Sequence, residues 1–239
     1  RGQNNVQGCG DAGCLPDAFP GYQSIGETSI AKFQAAWGNS PLPSREGLVI
    51  TDMVEAMLRG GIKAAYVVGE NPLLSEPDLH HAEKAFESLE FLVVQDIFLH
   101  ETAQIADVVL PATSFAEKDG TFTNSERRVQ RVRQVIGPIG ESRPDWRIIS
   151  DLAKRISEKL DLGLENEFDY SHPSQIFEEL AALTPFLAGI SYRRLDDEGG
   201  IQWPCPTPEH PGTRFLYEDD FPRGPRAKFV PFQQGPQAE

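Results

Sequence analysis

The 239-residue chain is poor in cysteine, methionine and tryptophan, with three, two and three residues of each. Cys9, Cys14 and Cys205 form no C-x-x-C pair, and an odd number argues against a disulfide scaffold. A reducing compartment fits better, so a cytoplasmic location is expected. No run of about 18 apolar residues occurs, so no hydrophobic helix spans a membrane. A charged-then-apolar leader is also missing, and the chain starts at Arg1 rather than Met. The expectation is an internal piece whose true start lies upstream. Basic charge is scarce: 22 Lys and Arg stand against 36 Asp and Glu, a net charge of -14. That balance disfavours nucleic acid and anionic membrane as partners. No G-x-G-x-x-G follows the first strand and no G-x-x-x-x-G-K-[ST] occurs, which removes the dinucleotide fingerprint and the P-loop.

What is present is an alternation of strands and helices. Residues 1–47 are loop-rich, with "LPDAFPGYQ" and "GNSPLPSREG" dense in Pro and Gly. The segment 51–61 predicts a helix, with Thr51 as cap and Gly60-Gly61 as stop. "KAAYVV" (63–68) predicts a strand buried on both faces. "SEPDLHHAEKAFESLE" (75–90) predicts one helix capped by Ser75, with Leu79, Ala82, Phe86 and Leu89 as its stripe. "FLVVQD" (91–96) is a second strand, "HETAQIA" (100–106) a short helix and "DVVLPA" (107–112) a third strand. This β-α-β-α-β order has connections too long for hairpins, so the strands should run parallel. "RRVQRVRQVI" (127–136) reads as a two-faced extended segment, and 145–160 and 173–183 as helices. From Thr184 onward no period is visible, and "PFQQGPQAE" has the composition of a linker.

In an open parallel sheet, ligands bind where the loops after the strands converge. Those loops carry Glu70, Asn71, Gln95, Asp96 and Thr113, a set of carboxylates, amides and a hydroxyl. Such groups suit ribose hydroxyls and base edges, and one carboxylate can accept both guanine donors, N1–H and N2–H2. The alternative is that Glu70 and Asp96 only cap the helices that follow. Arg127, Arg128, Arg131 and Arg133 are either a docking surface for phosphates or a partner, or a solvated strand face. His80 and His81 lie in a predicted helix without a ligand set, His100 suits a helix start, and Trp203 and Cys205 suit packing of the late loops. Cys9 and Cys14 are expected to be buried and inert.

Five stretches carry a resemblance: "RGQNNVQG", "YVVGENP", "FLVVQDIFLHETAQIADVVLPA", "EKDGTFTNSERRVQ" and "DWRIISDLAKRI". With "GGIQWPCPTPEHPGTRFLYEDDF" they resemble, in order, the large subunit of molybdopterin-dependent formate dehydrogenases, of the dimethyl sulfoxide reductase superfamily. The resemblance implies an α/β fold, a parallel-sheet Rossmann-like cofactor-binding domain with loop-rich N- and C-terminal extensions. It divides the chain into an active-site segment (1–47), a cofactor-binding domain (48–183) and an extension (184–239) leading toward a β-barrel domain. The implied cofactor is bis-molybdopterin guanine dinucleotide with Mo or W. An iron–sulfur 4Fe-4S cluster and the metal-ligating Cys or selenocysteine would lie upstream, so no metal ligand is assigned here.

By the same resemblance, Gly69, Glu70, Asn71, Gln95, Asp96, Thr113 and Asp145 would contact one guanine dinucleotide, and Gln3 a pterin. Asp145 also suits an acidic first-turn position of the 145–160 helix. Arg1 would orient formate, because a guanidinium fork matches a planar carboxylate. The implied reaction is reversible two-electron oxidation of formate to carbon dioxide, with electron-transfer subunits as partners and no activity for the piece alone. A nitrate-reductase-like enzyme and a non-catalytic relative of the complex I large subunit are the alternatives.

Overall fold

A computed structural model of the chain describes residues 4–38, 42–218, 221, 224, 229 and 231. Among the described residues the elements begin with α1 (Val6–Asp11), β1 (Ala18–Phe19), β2 (Gln23–Ser24), α2 (Glu27–Ala36) and α3 (Ile50–Leu58). They continue with β3 (Ala64–Val68), α4 (Pro72–Ser75), α5 (Leu79–Glu87), β4 (Phe91–Asp96), α6 (Glu101–Gln104) and β5 (Val108–Pro111). A second half holds β6 (Gly120–Thr123), β7 (Arg128–Val132), α7 (Asp145–Leu160), α8 (Pro173–Leu183), α9 (Tyr192–Glu198) and β8 (Ile201–Gln202).

The first half is a parallel sheet in the order β3-β4-β5, as the alternation predicts. Ala65 and Val67 of β3 sit level with Leu92 and Val94 of β4, and all four face α3 and α5. Val54, Met57, Ala85, Phe86 and Ala103 complete this core. Burying such a cluster is what holds short helices that are marginal in isolation.

Several expectations change. Residues 63–68 are not buried on both faces, because β3 is an edge strand and its outer residues lack a covering layer among the described residues. Tyr66 and Val68 are 40% and 43% exposed, whereas Val94 in central β4 is fully buried. The single helix expected over 75–90 is two, α4 and α5. Pro77 is the reason: it forces the residue before it out of the helical region, and Glu76 has ψ 141°. The true cap of α5 is Asp78, whose carboxylate accepts from His81 N at 3.0 Å. Helix α3 begins at Ile50 with Val49 at its cap position, so Thr51 lies inside it rather than capping it.

The second half is built on an antiparallel sheet, β6-β7-β8. Val129, Phe177, Ala181, Leu187, Ile190, Tyr192, Leu195, Ile201 and Cys205 form its core. The expected irregularity after Thr184 therefore fails over 192–202, where α9 and β8 form. These elements are too short to show a period, and tertiary pairing decides them. Helix α1 is fastened to this half: Asn5 Oδ1 accepts from Thr123 N at 2.9 Å, and Trp203 Nε1 donates to Asp11 Oδ2 at 2.8 Å.

The basic strand β7 and its preceding residue fit neither reading left open for them. Arg131 donates to both oxygens of Asp196 at 2.9 and 3.0 Å and lies 3.9 Å from the Tyr192 ring centre. Arg127 donates to the carbonyls of Trp203, Thr213 and Arg214, and Arg128 to Gly200 O and Gln202 Oε1. Arg133 reaches Asp196 at 2.5 Å. These guanidinium groups clamp the late loops of their own chain.

Candidate functional site

The carboxyl ends of β3, β4 and β5 bring most of the candidate residues to one edge of the parallel sheet. Gly69 follows β3 with φ +65°, a left-handed conformation, and its amide donates to Gln95 O at 2.9 Å. A side chain added there would meet open space, so the requirement for glycine is conformational. Asn71 then ties the β3 loop to α6. Its Nδ2 donates to Glu101 Oε2 at 2.7 Å, and its Oδ1 accepts from the Thr102 hydroxyl at 2.7 Å. The Asn71 bond, with the backbone amide of Glu101 itself, holds the Glu101 carboxyl below its ordinary range. Glu70 accepts from Ser75 Oγ at 2.7 Å through one oxygen.

Gln95 is completely buried and both ends of its amide are occupied. Its Oε1 accepts from the Tyr66 hydroxyl, and its Nε2 donates to Asp145 Oδ1 at 2.8 Å. The other oxygen of Asp145 takes Lys118 Nζ, which also donates to Thr113 O at 3.1 Å. Asp145 stands in the first turn of α7, where the helix dipole favours a carboxylate. Thus Gln95, Thr113 and Asp145 are gathered by Lys118 and Tyr66, two residues that sequence reasoning passed over. Lys118 follows "TSFAE" without period, and Tyr66 looks like an ordinary strand aromatic, so neither carried a signal.

Asp96 closes β4. Its Oδ1 accepts from Phe98 N at 3.0 Å, and its Oδ2 lies 3.5 Å from His100 Nε2. His100 Nδ1 accepts from Ala103 N at 3.2 Å, which caps α6 and places the ring proton on Nε2. Two buried atoms here lack a hydrogen-bond partner among the described residues: His100 Nε2 and Thr113 Oγ1. Buried polar atoms are normally paired, so this edge has unspent capacity for a polar ligand. That capacity, beside the acceptors of Glu70 and Asp96, fits a polyhydroxylated nucleotide. Arg1 and Gln3 lie outside the described residues.

Cavity size points elsewhere. A cavity of about 540 Å³ is lined by Trp37, Trp146, Ile149, Phe168, Tyr170 and Glu179, on the far side of α7 from the strand ends. A smaller cleft of about 230 Å³ touches Lys118 and Asp145. The apolar lining of the first lacks the polar groups gathered at the sheet edge. Cys9 and Cys14, expected to be buried, are exposed, while Cys205 is buried. The inward face of short α1 is taken by Asp11 instead.

Comparison with known proteins agrees with this placement. The chain is 49% identical over 221 residues to the F420-dependent formate dehydrogenase subunit alpha of Methanocaldococcus jannaschii, covering 92% of this chain and 31% of that one. It is 46% identical over 237 residues to the F420-dependent formate dehydrogenase 2 subunit alpha of Methanococcus maripaludis, covering 98% and 33%. A probable oxidoreductase of Bacillus subtilis is 44% identical over 93% of this chain and 22% of its own length. The chain thus spans at most about a third of these curated relatives. Among solved structures, acetylene hydratase from Pelobacter acetylenicus aligns with a TM-score of 0.45 at 21% identity, over 79% of this chain and 21% of that one. The molybdopterin oxidoreductase family model matches residues 19–155, a span that takes in all three parallel strands and the acidic start of α7. On that match over more than half its length, the chain belongs to the molybdopterin oxidoreductase family.

Proposed function

We propose that this chain is the cofactor-binding part of a formate dehydrogenase catalytic subunit. The observation that carries the reading is the near-half identity, over more than nine tenths of the chain, to two proteins named as formate dehydrogenase alpha subunits. The cofactor is a bis-molybdopterin guanine dinucleotide with Mo or W, which when bound accepts the two electrons of formate oxidation. The partners are formate or carbon dioxide and electron-transfer subunits, the 4Fe-4S cluster sits in another part of the subunit, and the compartment is the cytoplasm. The parallel sheet serves as a Rossmann-like platform.

Each residue has a task in this reading. Gly69 turns the β3 loop so that backbone approaches the dinucleotide closely. Glu70 and Asp96 accept from guanine and ribose donors, and Asn71 holds the loop at its working height through Glu101 and Thr102. Thr113 offers its unpartnered hydroxyl. Gln95 and Asp145 keep Lys118 and Tyr66 in place at the ligand's edge. Gln3 bonds a pterin, and Arg1 binds formate by two parallel hydrogen bonds to its carboxylate.

The test is made on the full-length subunit. Thr113→Val keeps shape and removes only the hydroxyl, so unfolding free energy of the cofactor-free protein stays within about 1 kcal/mol of wild type. Guanine nucleotide released on denaturing the purified holoprotein should fall in that variant, with a parallel loss of formate oxidation. Full guanine content in Thr113→Val would remove Thr113 from the site. Faster turnover of nitrate than formate by the wild type would sink the substrate assignment.

A further inference from the structure

We propose that Cys9 and Cys14 form a reversible dithiol–disulfide site at the C-terminal end of α1. The backbone sets the two thiols against each other. Cys14 N donates to Cys9 O at 2.9 Å, Gly13 N donates to Gly10 O at 3.1 Å, and Gly13 has φ +87°. Together these bonds are a Schellman closure, with Cys9 three residues before the cap Ala12 and Cys14 two residues after it. That closure is the one in which the side chains at these two positions come into contact. Gly13 is required twice over, by its positive φ and because a Cβ there would meet Pro20 N at 2.7 Å. The pairing is therefore built into the turn.

The thiols themselves are hydrogen-bonded to each other, and both are exposed. That bond pulls Cys14 down to about 6 and pushes Cys9 up. Cys14 is then a thiolate at neutral pH and Cys9 a thiol, the division of labour between an attacking and a resolving cysteine. The third cysteine has other work: Cys205 is buried against Arg194 and the carbonyls of Thr207 and His210. Among the described residues, no group of three or more His, Cys, Asp or Glu side chains could hold a metal ion, which leaves the pair a redox role.

With a hydroperoxide as oxidant the chemistry closes. Cys14 thiolate attacks the peroxide, the O–O bond breaks, an alcohol (water, when the oxidant is hydrogen peroxide) leaves with the proton it gains, and Cys14 becomes a sulfenic acid. Cys9 sulfur then attacks Cys14 sulfur, the S–O bond breaks, and water leaves carrying the Cys9 proton. The two sulfurs are oxidised together by two electrons, which reduce the peroxide. The new bond would lock the end of a helix whose other contacts, Asn5 with Thr123 and Asp11 with Trp203, tie it to the β6-β7-β8 half.

The experiment treats the full-length subunit with hydrogen peroxide, alkylates free thiols with N-ethylmaleimide and maps the peptides by mass spectrometry. The expected result is a Cys9–Cys14 linkage, lighter by two hydrogens, with both sites losing alkylation together and regaining it after dithiothreitol. Phenylarsine oxide, which bridges two neighbouring thiols, should bind the untreated wild type and lose that binding in Cys9→Ser and in Cys14→Ser. The arsenical measurement on wild type needs no variant to fold. Two results would overturn the proposal: both thiols still alkylated after peroxide, or Cys14 carried to sulfinic acid while Cys9 stays free.

Discussion

At the residue scale, polar groups in this chain are spent before a ligand arrives, and the exceptions mark the site. Gln95 and Asp145 each satisfy two partners, so their removal acts first on the fold. Thr113 Oγ1 has no partner among the described residues and acts first on binding. Asp11 illustrates the reverse cost. Burial raises its carboxyl above the ordinary range, against hydrogen bonds from Gln7, Tyr22 and Trp203. The folded chain therefore holds this proton more tightly than the unfolded chain. The stability it contributes is complete below the unfolded value, about 3.9, and is lost as pH rises through the higher folded value. Asp11→Asn should flatten that segment of the stability profile, read as denaturant midpoint between about pH 4 and pH 7. An unchanged slope would remove Asp11 as its source.

At the scale of elements, close approach between segments decides more than periodicity does. The long amphipathic α7 and α8 were legible because their apolar residues repeat at helical spacing over many positions. Helices α4 and α5 were merged in the sequence reading because one stripe crosses the Pro77 break. Helix α9 and strand β8 were invisible: seven and two residues carry no period. What fixes them is contact. A Cβ at Gly189 would lie 2.0 Å from Thr207 O, because the 187–190 turn packs directly on the loop after Cys205. Gly189→Ala should therefore cost about 3 kcal/mol. Thermal unfolding monitored at Trp203 would show it, and a loss well under 1 kcal/mol would mean the loop simply moves aside.

At the scale of the whole molecule, two cores of different kind lie in one chain, and the parallel sheet of the first is covered on one face among the described residues. Parallel sheets are ordinarily covered on both. The open face presents Tyr66, Val68, Phe91 and Val108, each more than a third exposed. Contiguous apolar surface of this kind drives association. The 239-residue chain by itself should bind a hydrophobic dye and sediment as larger species with rising concentration. Phe91→Lys should reduce both effects, because a charge on the face must stay hydrated. A monomeric, dye-free wild-type chain would show that this face is covered. The net charge of -14 works against such association, and added salt should strengthen it by screening.

The sequence by itself determined the parallel β-α-β-α-β order, the long helices and the polar character of the strand ends. Each of these is a local pattern, a period or a residue type at an element's end. Only the tertiary structure decided which groups at those ends are already engaged. Lys118 meets Asp145 across 27 positions, and Tyr66 meets Gln95 across 29. It also decided that the arginines of β7 clamp their own chain and that Cys9 and Cys14 face each other in the open. The physical reason is the same throughout. Periodicity records which face of an element is apolar, whereas hydrogen-bond satisfaction depends on partners that the chain brings together only when it folds.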